Sequence, residues 1–242
     1  MDFNNQYRPS GFGGMPVVTK NIIIINVIVY IASLLAESRG VDMTAYLGLH
    51  YYLAPDFKPH QFVTYIFMHG SVSHIFFNMF GVFIFGQVLE QLWGPKRYLI
   101  FYILTGLGAA LAQYIVMYFQ ISHTLDLVDI DLASSYISQE AKENLIEQKD
   151  AYLNSNVIVG ASGSLFGLLG AFGMLFPNRE LYLYFFIPVK AKWLVIGYGA
   201  IELFSGWRND PMDNVAHFAH IGGLIVGVIL VLIWRRDRNN FY

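Results

Sequence analysis

The chain has 242 residues, of which 55% are hydrophobic and 13% are charged, and its mean hydropathy is +0.46. Soluble domains carry about 25% charged residues, so this composition excludes an ordinary soluble domain and predicts a membrane protein. The formal net charge of −2, without a basic stripe, excludes a nucleic-acid partner. The absence of cysteine excludes disulfides, thiolate metal sites and a cysteine nucleophile.

Six apolar segments dominate the chain and predict an all-α integral membrane protein, a bundle of six transmembrane helices. Residues 1–20 are polar and Gly-rich and are expected to form a disordered arm. Residues 21–234 are expected to form a single membrane domain, and residues 235–242 a basic tail. The predicted helices lie at 21–36, 72–92, 98–119, 157–176, 193–204 and 215–234.

Two further segments differ from these helices. Residues 120–156 form an acidic insertion that is too polar to span, within which residues 138–153 are expected to form a surface helix capped by Ser138. Residues 179–192 are expected to form a linker whose apolar part lies along the membrane interface.

The basic residues predict the orientation of the bundle. Six spans place both termini on one side of the membrane, and most Lys and Arg residues then lie in segments on that side. Because cytoplasmic segments are enriched in positive charge, both termini are expected to be cytoplasmic. The second, fourth and sixth helices would then all begin at the outer face, where the acidic insertion also lies.

Polar side chains occur near the start of each of these three helices. In the fourth helix, Ser162 lies between glycines, about 8 Å beyond the predicted start of the helix. The sixth helix presents His217 and His220, and the second presents His74 and Asn78 one turn apart. Because polar groups within membrane helices are costly and usually face the protein interior, these side chains predict one small, water-accessible site.

The residue types at this depth fit nucleophilic acyl chemistry. A serine hydroxyl is a poor nucleophile until a base takes its proton, and a neutral imidazole is the usual base near pH 7. Ser162 is therefore the predicted nucleophile, and His220 is the predicted general base. Acyl transfer also needs donors for the developing oxyanion, and the predicted donors are His74, Asn78 and the Ser162 backbone N–H.

Small residues are expected to bring the fourth and sixth helices together, because glycines let helix backbones approach closely. The stripe on the sixth helix consists of His220, Gly223 and Gly227, and the stripe on the fourth consists of Gly163, Gly167 and Gly170. This contact would bring the imidazole to the hydroxyl. Phe166, four residues after the serine, is expected to pack on the imidazole ring.

Three motifs together resemble the rhomboid family of intramembrane serine proteases. They are HGSVSHIFFN at 69–78, GASG beginning at Gly160, and AHIGGLIVG at 219–227. The resemblance covers roughly residues 22–234 and implies a six-helix fold with a Ser162–His220 dyad that has no acid. It also implies an oxyanion site formed by His74, Asn78 and the Ser162 backbone, and no cofactor or metal.

The resemblance further implies the substrates and the location. Substrates would be other membrane proteins, cut in or near a transmembrane helix that unwinds at small or helix-breaking residues. The minimal architecture leads us to expect a bacterial inner membrane protein whose site opens to the periplasmic side. Glu90 resembles a structural acid of the family.

The chain departs from the family pattern at three places. His60 and Gln61 stand where the family often has Trp-Arg in the first outer loop, and Phe166 stands where a tyrosine is frequent. The acidic insertion exceeds the short connection of minimal members. It is expected either to filter substrates or to be solvated decoration.

Several residues admit a second interpretation. Ser162 is also compatible with a packing residue in a glycine-rich helix, and Asn78 with a hydrogen bond between two helices. His69 is expected to be a structural histidine of the loop. For His217 an outward-facing or structural role is expected, with a second base as the alternative, and Glu202 is either a proton-relay acid or a structural partner in the fifth helix.

Two other function classes stay open. A histidine-rich bundle could bind haem or a metal, with the ligands drawn from His69, His74, His217 and His220. A catalytically inactive relative could bind membrane clients without cutting them, although such proteins typically lack the serine or the histidine. The sequence predicts an intramembrane serine endopeptidase and says nothing about its oligomeric state.

Overall fold

The computed structural model describes residues 14–183, 186–208 and 215–239, so most of the expected disordered arm and the end of the basic tail lie outside the described residues. The helices are α1 (Val17–Glu37), α2 (Met43–Leu47), α3 (Gln61–Thr64), α4 (Val72–Gly81), α5 (Gln87–Trp93), α6 (Pro95–Ala133), α7 (Gln139–Ser155), α8 (Ser162–Leu175), α9 (Ala191–Arg208) and α10 (His217–Asn239). The strands are β1 (Leu49–His50), β2 (Val157–Ile158), β3 (Glu180–Leu183) and β4 (Ile187–Lys190). A 3₁₀ turn (Tyr65–Phe67) follows α3, and a π-helical turn (Val82–Gly86) joins α4 to α5.

Four of the helices are long and apolar enough to cross a membrane. They are α1, the continuous helix Val72–Trp93, α6 and residues His217–Arg235 of α10. Large apolar side chains on their surfaces are exposed, for example Ile28 at 59% and Phe76 at 61%, and such surfaces are stable in lipid but not in water. The chain is therefore an integral membrane protein.

The remaining two predicted spans correspond to shorter or more polar helices. α8 is apolar but has 14 residues, and α9 has 18 residues that include Lys192, Glu202 and Arg208. The count of six spans therefore stays a prediction. α10 packs against α8, α6 and α9. α8 is mostly buried, whereas α9 buries only three side chains, those of Ala191, Leu194 and Glu202.

Several helices extend further than predicted, including α9 (Ala191–Arg208) and the end of α10 at Asn239. α1 begins at Val17, so residues 17–20 are helical rather than part of a disordered arm. α6 continues to Ala133, and its 39 residues make a helix about 58 Å long at 1.5 Å per residue, which exceeds a hydrocarbon core of about 30 Å. Polar residues can prolong α6 because its end lies beyond the apolar layer.

The acidic insertion is a pair of helices. The predicted surface helix is confirmed as α7, and the Ser138 hydroxyl accepts a hydrogen bond from the Ala141 N–H at 3.2 Å. Lys149 Nζ lies 2.6 Å from Asp129 Oδ1 and ties α7 back to the end of α6. The linker of residues 179–192 contains an antiparallel hairpin, in which Glu180 of β3 pairs with Lys190 of β4. Its expected position along the membrane interface stays a prediction.

The predicted fourth helix is wrong over its first five residues. Val157 and Ile158 pair with β1 in an antiparallel ladder, and Gly160 has a φ of +123°, a conformation that favours glycine. α8 therefore begins at Ser162. The serine is the first residue of its helix, not a residue about 8 Å inside it.

The predicted glycine contact between the fourth and sixth helices is confirmed. A Cβ added to Gly223 of α10 would lie 2.0 Å from the carbonyl oxygen of Gly163, and one added to Gly227 would lie 2.6 Å from that of Gly167. These distances leave no room for a side chain, so α10 and α8 touch backbone to backbone.

Gln61 anchors the loop in which the chain departs from the family pattern. Its side chain is fully buried. Oε1 accepts hydrogen bonds from the N–H groups of Lys58 (3.1 Å) and His50 (3.3 Å), and Nε2 donates to the Asp56 carbonyl at 2.8 Å. His60 Nε2 lies 2.9 Å from the Tyr46 carbonyl oxygen. A neutral amide therefore holds this loop through backbone groups.

Glu90 of α5 fixes the start of α1. Its Oε1 accepts from the Val18 N–H at 2.9 Å, and its Oε2 accepts from both the N–H and the hydroxyl of Thr19 at 2.7 Å. The first N–H groups of a helix have no partner within the helix. Glu90, which is 3% exposed, supplies those partners from another element and so has the structural role expected of it.

We expect Glu90→Ala to destabilise the protein by about 3 kcal/mol, because it leaves buried N–H groups of α1 without acceptors. Thermal or denaturant unfolding in detergent measures the change. Glu147→Ala on the exposed surface of α7 is the matched control and should be neutral. Equal effects of the two substitutions would contradict this role of Glu90.

We expect Gly223→Ala to destabilise the protein by about 1–3 kcal/mol, because the added methyl overlaps the Gly163 carbonyl and forces α10 away from α8. Gly197→Ala in α9 is the matched control, since its added methyl meets nothing within 4 Å. Unfolding in detergent compares the two. A Gly223→Ala protein as stable as the control would contradict the close contact.

Candidate active site

The three helices that carry the predicted site residues begin at one end of the bundle, here called the site end. α4 begins at Val72, where the Ser71 hydroxyl accepts from the His74 N–H at 3.1 Å. α8 begins at Ser162 and α10 at His217. His74, Ser162 and His220 thus lie within the first four residues of their helices, where helices also offer unpaired N–H groups, and Asn78 lies one turn further along α4.

Ser162 and His220 are in direct contact. Ser162 Oγ lies 2.8 Å from His220 Nε2, within the range for proton transfer between a nucleophile and its base. The ring of Phe166 stacks on the imidazole with centroids 4.4 Å apart and an interplanar angle of 6°. His220 is 8% exposed and Ser162 is half-buried, and the imidazole is held from one face by an aromatic ring, as expected.

His74 lies beside this pair, and Asn78 follows it one turn further along α4. A Cβ added to Gly160 would lie 2.7 Å from His74 Nε2 and 3.7 Å from Ser162 Oγ, so the missing side chain of Gly160 opens the space between imidazole and hydroxyl. Asn78 is 4% exposed, and among the described residues its Nδ2 has no hydrogen-bond partner. A buried amide donor without a partner, one turn after His74, has the chemistry needed to receive a developing negative charge.

The predicted oxyanion donors are completed by the start of α8. Ser162 is the first residue of this helix, so its N–H has no intrahelical acceptor. The partial positive charge of a helix N-terminus also favours an anion there. Because α8 begins at Ser162 and not at residue 157, the positive end of its dipole lies at the serine.

The other two histidines of the motifs lie on either side of the pair. His69 is in the loop before α4, where its ring centroid is 4.9 Å from that of His74. Burial, and secondarily His74, lower the pKa of His69 to about 4, so it is neutral at pH 7. His217 Nδ1 lies 2.6 Å from Glu202 Oε2, which is a structural contact of the kind expected for this residue.

Glu202 reaches the site from α9, although sequence reasoning did not include it among the site residues. Its Oε2 lies 3.0 Å from His220 Nδ1, on the side of the ring opposite to Ser162. Its presence as an acid in an otherwise apolar helix was the available signal, since such residues are costly unless they are paired. Which element it faces could not be read from the sequence.

The four histidines considered for haem or metal binding form two pairs. His69 lies against His74, and His217 lies 6.5 Å from His220 between ring centroids. Glu202, His217 and His220 present ligand atoms within 4.8 Å of one another and have the composition of a metal site. In the described geometry the Glu202 carboxylate itself lies against both Nδ1 atoms.

A cavity of about 380 Å³ opens at the site end between α6, β2, α9 and the start of α10. Its lining includes Gln113, Asn156 and His217, but neither Ser162 nor His220. The cavity therefore reaches His217, one turn before His220 on α10, and it is lined by residues other than the reacting pair.

Comparison with known proteins finds several relatives whose names include the word rhomboid. "Rhomboid-like protein 11, chloroplastic" from Arabidopsis thaliana is 27% identical over 234 residues, which cover 87% of this chain and 62% of that protein. "Rhomboid protease AarA" from Providencia stuartii is 25% identical over 91% of this chain and 73% of the relative. "Putative rhomboid protease YdcA" from Bacillus subtilis (strain 168) is 24% identical over 71% and 67%, respectively.

The chain spans only part of several plant relatives, for example 48% of "RHOMBOID-like protein 6, mitochondrial" from Arabidopsis thaliana. The family profile described as "Rhomboid domain" matches residues 56–237, which include α4, α8, α10 and the whole candidate site. The chain belongs to the rhomboid family.

Proposed function

We propose that the protein is an intramembrane serine endopeptidase that cuts transmembrane segments of other membrane proteins. The observation that carries the proposal is the partly buried contact of 2.8 Å between Ser162 Oγ and His220 Nε2 at the start of the apolar helices α8 and α10. Membership of a family whose relatives include proteins named as rhomboid proteases supports it.

The residues of the site have the following roles in the proposed reaction. Ser162 gives its proton to His220 Nε2 while Oγ attacks the scissile carbonyl carbon, and the carbonyl oxygen becomes an oxyanion. His74, Asn78 Nδ2 and the Ser162 N–H donate hydrogen bonds to this oxyanion. His220 then transfers the proton from Nε2 to the leaving nitrogen, the C–N bond breaks, and an ester on Ser162 remains.

Water completes the cycle. A water molecule gives a proton to His220 Nε2 and attacks the ester carbonyl carbon, and the bond to Ser162 Oγ breaks as Oγ takes the proton back. The cavity that reaches His217 provides space for this water at the site end. The carboxylic acid product departs, and Ser162 is regenerated for the next cycle.

The proposed topology has six spans with both termini in the cytoplasm, and the site end faces outward into the periplasm of a bacterial cell. A substrate helix would reach the site from the lipid past α9. The exposure of α9 supports this route, because most of its side chains are exposed, for example Ile196 at 59% and Phe204 at 57%. Substrate segments would have to unwind near their outer end, because a helix shields its peptide carbonyls in backbone hydrogen bonds.

We expect Ser162→Ala and His220→Ala each to abolish cleavage of a single-span test substrate by purified protein in detergent, with rates at least about 10³-fold lower. Both variants should keep the thermal midpoint of the wild type within a few degrees. Gel-resolved product formation over time measures the rates.

Exposed residues of the same types provide the controls. Ser135→Ala in the turn between α6 and α7 and His123→Ala on α6 should cleave at the wild-type rate. If wild type and Ser162→Ala behaved alike on several substrates, the protease proposal would fall. Retained binding of the substrate would then favour the client-binding alternative.

We expect Asn78→Ala to lower kcat about 10²–10³-fold with little change in KM, because the amide donor is used only when the oxyanion forms. His74→Ala should act in the same direction. Steady-state kinetics on the same substrate separate the two constants. A loss confined to KM would contradict oxyanion stabilisation and assign Asn78 to helix packing.

A further inference from the structure

We propose that Glu202 is a positioning residue for His220, so that the reacting groups form a Ser162–His220–Glu202 relay in place of a dyad without an acid. The inference rests on the proposed protease function, and it concerns a role for α9 that the family resemblance does not imply. Glu202 would act through the imidazole and would not touch the substrate.

The geometry places the three groups in sequence. His220 Nε2 lies 2.8 Å from Ser162 Oγ, and Nδ1 of the same ring lies 3.0 Å from Glu202 Oε2. Among the described residues, Nδ1 is buried and has no aligned hydrogen bond, either to Glu202 or to another group. The Glu202 carboxylate is at hydrogen-bond distance from this nitrogen, and the proposed relay requires the two side chains to align. Such bonds often tighten only when substrate binds.

A second contact holds the carboxylate in place. His217 Nδ1 lies 2.6 Å from the same Oε2 atom. His217 and His220 are one turn apart on α10, so both imidazoles face α9 from the same side. The carboxylate is therefore fixed by His217 and is aimed at His220.

The apolar surroundings of Glu202 require its carboxylate to have polar partners. Its side chain is 12% exposed and lies in a helix whose surroundings are apolar, and an acid in such a place is costly unless it is paired. Two neutral imidazoles that both carry a proton on Nδ1 satisfy one carboxylate oxygen. That arrangement leaves Nε2 of His220 without a proton, which is the form that can accept the proton of Ser162.

The proton balance of the step is simple. The proton of Ser162 moves to His220 Nε2, the ring becomes an imidazolium, and the Nδ1 proton stays on nitrogen in its hydrogen bond to Glu202. The carboxylate remains ionised and stabilises the positive ring until Nε2 gives its proton to the leaving nitrogen. Nothing is oxidised or reduced, and no further reactant is needed.

The first test is kinetic. Glu202→Gln removes the negative charge, and its amide can turn either the oxygen or the nitrogen toward Nδ1. We therefore expect kcat to fall roughly 100-fold or more, while KM changes less than about threefold. Glu202→Asp keeps the carboxylate and should recover activity to within about tenfold of wild type. Gly197→Ala, at an exposed position of α9 where the added methyl meets nothing within 4 Å, is the control for a general disturbance of this helix and should be unchanged.

The second test uses the wild-type protein and does not depend on the folding of any variant. Nitrogen NMR of ¹⁵N-histidine-labelled protein, with His220 assigned by its loss in His220→Ala, reports which ring nitrogen carries the proton. We expect a protonated Nδ1. An unprotonated Nδ1, whether from the other tautomer or from a metal held by Glu202, His217 and His220, would overturn the proposal.

The outcomes separate this inference from the protease proposal. If wild type cleaves, Ser162→Ala does not, and Glu202→Gln keeps kcat within threefold of wild type, the relay is wrong and the dyad stands. If Glu202→Asp is as inactive as Glu202→Gln while both are folded, the carboxylate is not what matters and the relay is also wrong. If wild type itself fails to cleave, the protease proposal fails first.

Discussion

The contact between the backbones of α8 and α10 is the constraint on which the candidate site depends. Gly223 and Gly227 lie against the carbonyl oxygens of Gly163 and Gly167 with no room for a side chain. In a bilayer, lipid tails are as apolar as apolar side chains, so moving such side chains from lipid to a helix interface gives no hydrophobic gain. Close packing of small residues therefore drives the association of two helices. The 2.8 Å contact between Ser162 and His220 follows from this approach.

The start of α8 is the second constraint, and it is set by a short stretch of extended chain. The ladder between β1 and β2 and the positive φ of Gly160 keep residues 157–160 out of the helix. The serine consequently stands at a helix N-terminus, where backbone N–H groups and the helix dipole favour negative charge. A serine inside a continuous helix would have had its own N–H engaged in the helix ladder, so the non-helical segment is what gives the site its backbone donor.

Buried polar side chains join elements that apolar packing alone would leave loosely related. Glu90 ties α5 to the start of α1, and Gln61 holds the loop before α3. Glu202 ties the exposed helix α9 to α10. Removing each of these polar side chains from water costs free energy, and hydrogen bonds offset that cost only when the correct partners are in place. Each side chain therefore favours a single arrangement of the elements it joins. In the proposed relay, the third of these links would also connect the position of α9 to the orientation of the base.

The sequence by itself determined the membrane class, the family, the helices and the pairing of Ser162 with His220, because apolar length, glycine spacing and residue chemistry are local properties of the chain. It also determined the stacking of Phe166 and the cap of α7. It did not determine where α8 begins, since an apolar run of twenty residues is compatible with both a helix and a strand followed by a helix. That was decided by β1, more than a hundred residues earlier. The direction in which Glu202 faces, the acceptors of Gln61 and the continuation of α6 to Ala133 were likewise decided by tertiary structure, because they depend on partners that are distant in the sequence.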